Sequence, residues 1–126
     1  MSQAIACGRV VGGTCHGPLG LLQARNPDGS RFVTGRRLTA VTDKQVRELG
    51  ITRTPQHPER ELRAAGARFE SATALRDIFA NHVVCDGDLV TGQNQNAGRA
   101  VARYMMDRLV KRAAEGADPA IGAASA

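Results

Sequence analysis

A chain of 126 residues with 42% hydrophobic residues is enough for one modest globular domain and too short for two. No apolar run is long enough to span a bilayer, and Met1 to Cys7 lacks the basic start and long apolar core of a signal peptide, so a cytoplasmic protein without a membrane partner is expected. The formal charge is +5, but the arginines are spread along the chain (the densest cluster is Arg31, Arg36 and Arg37) and aromatics are only 3%, which leaves no stacking platform and argues against nucleic acid.

In chain order, Ala4-Ile5-Ala6 before Gly8 reads as the last turn of a helix closed by glycine. Arg9 to Thr14 reads as a buried strand, with β-branched Val10 and Val11 ahead of the small residues Gly12, Gly13 and Thr14. Pro18 then opens a helix predicted over Gly17 to Ala24. Asn26-Pro27-Asp28-Gly29-Ser30 is a turn, and Arg31 to Val33 and Arg36 to Val41 are predicted as short strands. Thr42 or Asp43 caps a helix through Leu49, stopped by Gly50. Ile51 to Pro58 is loop, Glu59 to Ala65 a helix stopped by Gly66, and Ala67 to Glu70 a strand.

Ser71 to Asn81 is irregular, with at most one helical turn around Leu75, Ile78 and Phe79. His82 to Cys85 and Asp88 to Thr91 alternate around Asp86-Gly87, a two-residue hairpin turn. Asn94 or Asn96 caps a final helix through Ala114, whose Ala97, Val101, Met105 and Leu109 form one core-facing stripe. Residues 1–114 therefore read as one domain, and the Ala-, Gly- and Pro-rich stretch 115–126 as a disordered tail.

Cys7, Cys15 and Cys85 cannot all pair within one chain, and their spacing matches no zinc pattern. Free thiols in a reducing compartment, with no metal and no cofactor, are the expectation. Cys15 stands apart because it sits at the corner between strand and helix, where open α/β sheets bind ligands. A following helix N-terminus and the imidazole of His16 both favour the thiolate, the nucleophilic form. Cys7 and Cys85 read as small buried residues. His57 reads as a loop histidine that a nearby site can recruit, and His82 as a surface histidine at a strand start. Gly92-Gln93-Asn94, between a strand and a helix, is a weak anion-binding signal.

Thr14-Cys15-His16-Gly17-Pro18 resembles the nucleophile elbow of the ThiJ/PfpI superfamily, the cysteine branch of the class I glutamine-amidotransferase-like folds. Gly35-Arg36-Arg37-Leu38-Thr39-Ala40 resembles that family's strand after the elbow helix, and Asp43-Lys44-Gln45 with Glu48-Leu49-Gly50 the acid-bearing stretch of its heat-shock-protein-31 type. Glu59 to Ala67 resembles its next helix, and Val83-Val84-Cys85-Asp86-Gly87-Asp88-Leu89-Val90-Thr91-Gly92-Gln93-Asn94 its last hairpin and the loop beyond. The resemblance runs from Arg9 to Arg112 and covers only the second half of such proteins.

It implies a partial flavodoxin-like α/β sandwich, with parallel strands plus a β-hairpin and the N-terminal half missing. It also implies Cys15 as nucleophile, His16 as base and Asp43 as the acid that orients His16. In an alternative register, anchored on the preceding strand, Val46 takes the acid's place; Asp43 is preferred because the residues after it match better. Read as residues alone, Asp43 is an ordinary helix cap. The backbone N–H of His16 supplies one oxyanion donor and Gly17 lets substrate approach the backbone. The family's glutamic acid beside the cysteine, its second oxyanion donor and the metal-binding residues of some members belong to the absent half.

The implied activity is that of a glutathione-independent glyoxalase III or protein deglycase, acting on methylglyoxal-type dicarbonyls or glycated adducts. The alternatives are a non-enzymatic, chaperone-like stress protein, an inactive fragment, or a cysteine peptidase or amidase, since a Cys-His pair also supports acyl transfer. Strand Arg9 to Thr14 reads as a central parallel strand that needs neighbours on both edges. With so few strands in the chain, one edge or face is expected to stay open, which points to a homodimer or to association with the missing half.

Overall fold

The computed structural model describes residues 1–116. Their strands are β1 (Val11–Thr14), β2 (Arg37–Leu38), β3 (Arg68–Phe69), β4 (Val83–Asp86) and β5 (Leu89–Gly92). The main sheet runs β1-β5-β4, and β2 and β3 form a separate parallel pair. β1 is parallel to β5, with Val11 opposite Leu89 and Thr14 opposite Gly92. β4 and β5 are the expected antiparallel hairpin. Among the described residues β1 has a strand neighbour on one side only, so the strand expected at the centre ends the sheet and leaves an open edge.

The helices are α1 (Ser2–Ala6), α2 (Asp43–Glu48), α3 (Pro58–Ala64) and α4 (Gly98–Ala114). α4 lies across β1 and β5; its Val101, and Ala97 at the end of the short 3₁₀ turn before it, are buried against Val90, with Met105 beside them. Two glycines set how closely it approaches. A Cβ on Gly12 would lie 2.5 Å from Met105 Sδ, and one on Gly92 would lie 2.6 Å from Ala97 Cβ. On the opposite face Val11 and Leu89 join Leu21, Phe32, Leu38, Leu62 and Phe69 in the larger core.

Capping decides α2. The Thr42 hydroxyl accepts from Gln45 N–H at 3.1 Å, and Gln45 Oε1 accepts from Thr42 N–H at 3.2 Å. This reciprocal box satisfies two otherwise orphan donors, and it frees the Asp43 side chain from capping. Gly50 at φ +68° closes the helix as expected. Asn94, not Asn96, caps the final helical stretch, its Oδ1 accepting from Asn96 N–H at 2.9 Å.

Several expectations are corrected. The helix after the elbow is a short 3₁₀ helix, Gly17–Leu21, rather than an α-helix to Ala24. Arg31 to Val33 is no strand: a single bridge joins Arg25 to Arg31, and the chain then turns. Phe32 and Val33 are both buried, at 4% and 0% exposure, and neighbouring residues of a strand point to opposite faces; the turn lets both enter the core. The hairpin loop is Gly87-Asp88 rather than Asp86-Gly87, because Asp86 pairs with Leu89. Gly87, at φ +60°, takes the first loop position, which favours glycine in two-residue hairpins. Of the stretch expected to be a tail, Glu115 and Gly116 close α4, and 117–126 lie outside the described residues.

Asp77 anchors the irregular segment 71–81. It is 1% exposed. Its Oδ1 accepts from Ala74 N–H at 2.8 Å and from Lys44 Nζ at 2.9 Å, while its carbonyl accepts from Gln45 Nε2 at 2.6 Å. Burial alone pushes the carboxyl up, but the Ala74 N–H and the Lys44 ammonium outweigh it and hold it below the usual carboxylate value. A depressed folded pKa stabilises above the unfolded value of about 3.9 and is lost as pH falls through the folded value. Asp77→Asn is expected to cost about 1–3 kcal/mol at neutral pH and to flatten the acid limb of stability. Urea midpoints measured from pH 7 downward check this; parallel curves for the two proteins would contradict it.

Candidate active site

β1 delivers Cys15 to the carboxyl end of the sheet. Cys15 has φ +57° and is the one non-glycine residue with positive φ among those described. For an L-residue that conformation costs about 1–2 kcal/mol. Cys15 N–H donates to Gly92 O at 3.1 Å, and its carbonyl accepts from Val41 N–H at 3.0 Å. The elbow is thus pinned to β5 on one side and to the residues before α2 on the other. A Cβ on Gly13 would sit 3.4 Å from the Gly17 carbonyl carbon and the Pro18 nitrogen, so a small residue keeps the turn tight. Gly17 is exposed with open space around it.

Cys15 Sγ lies 3.4 Å from His16 Nδ1. Burial pushes the Cys15 thiol up, and the His16 backbone N–H only partly offsets this. The direction runs against the thiolate bias expected from the sequence, and the helix that follows is only a short 3₁₀ turn. Alkylation of Cys15 by iodoacetamide is expected to keep rising through the ordinary thiol value, about 8.5, as pH increases. A rate–pH midpoint at or below neutral would contradict this.

Asp43 begins α2, two residues after Val41. Its N–H donates to Glu59 Oε2 at 2.8 Å. Its Oδ1 lies 3.6 Å from His57 Nδ1, and both atoms are buried without a hydrogen-bond partner. None of the hydrogen bonds or ion pairs among the described residues joins Asp43 to His16. Cys15 and His16 are brought together, whereas Asp43 faces His57, which precedes Pro58 at the start of α3. The sequence reading of His57 as a loop histidine that a nearby site can recruit did not foresee Asp43 as its neighbour. The one available signal was Pro58, which fixes a helix start and so the place of the residue before it. Val46 is 1% exposed in α2 and serves the core.

Cys7 and Cys85 are exposed rather than buried. Cys85 faces outward on β4, an edge strand. His82 Nε2 lies 3.6 Å from Glu70 Oε2. Gln93 and Asn94 are buried structural pins rather than an anion cradle. The Gln93 amide exchanges two hydrogen bonds with the Ala72 backbone, at 2.8 and 3.0 Å, and the Asn94 side chain donates to Ala80 O. No group of His, Cys, Asp and Glu among the described residues is arranged to hold a metal ion, and no helix among them is long and apolar enough to cross a membrane.

No family model and no curated protein matches the chain. Solved structures do. One, designated APC35852, superposes with a TM-score of 0.78 and 36% identity over 88% of this chain and 49% of that one. Glyoxalase III from Candida albicans gives a TM-score of 0.75 and 24% identity over 85% of this chain and 46% of that one. The chain has a ThiJ/PfpI-like fold. Rapid Encystment Protein from Francisella tularensis gives a TM-score of 0.71 and 25% identity over 79% and 43% of the two chains. The chain spans about half the length of each of these structures. The mixed α/β architecture with parallel β1 and β5 is the partial flavodoxin-like sandwich expected.

Proposed function

We infer that the chain is the elbow-bearing part of a cysteine enzyme of the glyoxalase III or deglycase type, acting on methylglyoxal-like dicarbonyls or their adducts in a reducing cytoplasm. The observation that carries this reading is Cys15 at φ +57° with its sulfur 3.4 Å from His16 Nδ1. The Candida albicans neighbour, a glyoxalase III, supports it at the level of fold.

In this reading His16 takes the thiol proton and the sulfur adds to the aldehyde carbon. The C=O electron pair moves to oxygen, which recovers the proton from His16 to give a hemithioacetal. His16 then carries the proton from the former aldehyde carbon to its neighbour, and the hydroxyl proton of the hemithioacetal passes to the ketone oxygen. The ketone becomes a hydroxyl and the sulfur-bearing carbon a thioester. Water cleaves the thioester, releasing a 2-hydroxy acid and the thiol. His16 and Gly17 backbone groups line the approach for the oxyanion. Asp43 is the acid that the resemblance assigns to His16, and in this structure it faces His57 instead. Acyl transfer by a peptidase or amidase has less support, because the neighbour whose activity is known is a glyoxalase III.

The test is methylglyoxal consumption and lactate formation without glutathione. His16→Ala is expected to lower the rate by about 10²-fold or more. A folded sample that forms neither a Cys15 adduct by intact mass nor lactate overturns the reading.

A second reading, a chaperone-like binding protein, rests on exposed apolar side chains: Leu75 at 98%, Phe79 at 72% and Val110 at 65% exposure. It requires suppression of client aggregation, equal in wild type and Cys15→Ala, and fails if a folded sample suppresses none.

A further inference from the structure

At the end of β1 away from Cys15 lies a cavity of about 230 Å³, between α1, the turn after Phe32 and the β4–β5 loop. We propose that it binds a small carboxylate with an apolar body, such as an aryl or short acyl acid. This site is independent of the Cys15 chemistry: Val11 lines it, and four strand residues at about 3.3 Å each put Cys15 roughly 13 Å away.

The walls divide by chemistry. Ile5, Val11, Phe32 and Leu89 provide an apolar floor. Arg36 brings positive charge to it. Arg36 is held in place rather than loose: its guanidinium lies 4.2 Å from the Phe32 ring centroid, and its Nε donates to Phe32 O at 3.1 Å. Its two terminal amino groups have no hydrogen-bond partner among the described residues. A guanidinium fixed through Nε, with its outer nitrogens open, is preorganised for a carboxylate.

Asp88, the one acid in the lining, does not cancel this charge. Its Oδ1 accepts from Arg108 Nε at 2.7 Å and its Oδ2 from Arg112 Nη1 at 3.2 Å. The lining therefore keeps a positive balance beside an apolar surface. Inorganic phosphate would use the charge and leave the floor in water, and a neutral aromatic would do the reverse. A carboxylate with an apolar body uses both. The volume falls below the roughly 300–1,000 Å³ of drug-sized pockets, so the ligand is small.

The experiment is an amide NMR titration of the whole chain with sodium benzoate, benzamide and inorganic phosphate. Benzoate is expected to shift Val11, Gly87 and Leu89 saturably, and benzamide and phosphate to bind at least about tenfold more weakly, the scale of one charge-assisted hydrogen-bonded pair. Arg36→Gln is expected to weaken benzoate at least about tenfold, and Arg36→Lys, which keeps the charge but not the fork, to fall between. If Arg36→Gln does not fold, Arg36→Lys carries the test. The proposal is overturned if benzoate does not bind the folded chain, or if benzamide or phosphate binds as well as benzoate. It is equally overturned by shifts that map elsewhere, or by wild-type affinity in the folded Arg36 variants.

Discussion

Cys15→Ala is expected to abolish adduct formation and turnover with methylglyoxal, while Cys15→Gly is expected to be equally inactive but more stable than Cys15→Ala. The first effect follows from chemistry. Without the sulfur no group at the elbow can form the hemithioacetal, and His16 has no thiol to deprotonate. The second follows from the backbone. At φ +57° an alanine keeps the Cβ that crowds the following carbonyl, whereas glycine has none, a difference of about 1 kcal/mol. Activity and urea midpoint measured on the same three proteins check both halves. Turnover retained in Cys15→Ala would remove Cys15 as the nucleophile. Equal midpoints for the alanine and glycine variants would mean that the elbow relaxes without its sulfur.

Gly92→Val is expected to leave little folded protein, and Gly92→Ala to lose about 1–3 kcal/mol, the usual range for overpacking. A Cβ at Gly92 would meet Ala97 Cβ at 2.6 Å, Val101 Cγ2 at 2.8 Å and Thr14 Cγ2 at 3.0 Å. None of these is the far end of a long side chain, so α4 must move off the sheet to make room. Gly92 O also accepts from Cys15 N–H, so the displacement reaches the elbow directly. Gly20→Ala is the control. A Cβ there meets nothing within 4 Å, its φ is not positive, and a change within about 0.5 kcal/mol is expected. Thermal unfolding of the three variants decides the point. Wild-type stability in Gly92→Ala would mean that α4 does not pack as closely as described.

What could be read from the sequence was whatever is punctuated locally. Gly50, Gly66 and Gly87 each mark a boundary through their own backbone preference, and the elements they bound are present; the cap of α2 could be narrowed only to Thr42 or Asp43. The strand-to-turn corner at Cys15 was legible for the same reason; that His16 Nδ1 comes to 3.4 Å from the Cys15 sulfur was not. Long-range outcomes were not. Phe32 and Val33 look like strand residues until the core that receives both is known. The pairing of β1 with β5 joins residues far apart in the chain. The partner of Asp43 depends on how the starts of α2 and α3 meet, and no spacing rule relates residue 43 to residue 57. Cys85 could be called buried or exposed only once β4 was known to be an edge strand.

The segment 71–81 lacks regular structure apart from the turn Asp77–Phe79, yet it is riveted at both ends and in the middle. Ala72 is clamped by Gln93, Asp77 by Lys44 and Gln45, and Ala80 by Asn94. Leu75 and Phe79 project from this fixed frame into water. Their apolar surface is thus exposed while the backbone around them stays hydrogen-bonded to the rest of the fold, so its exposure needs no melting of the segment.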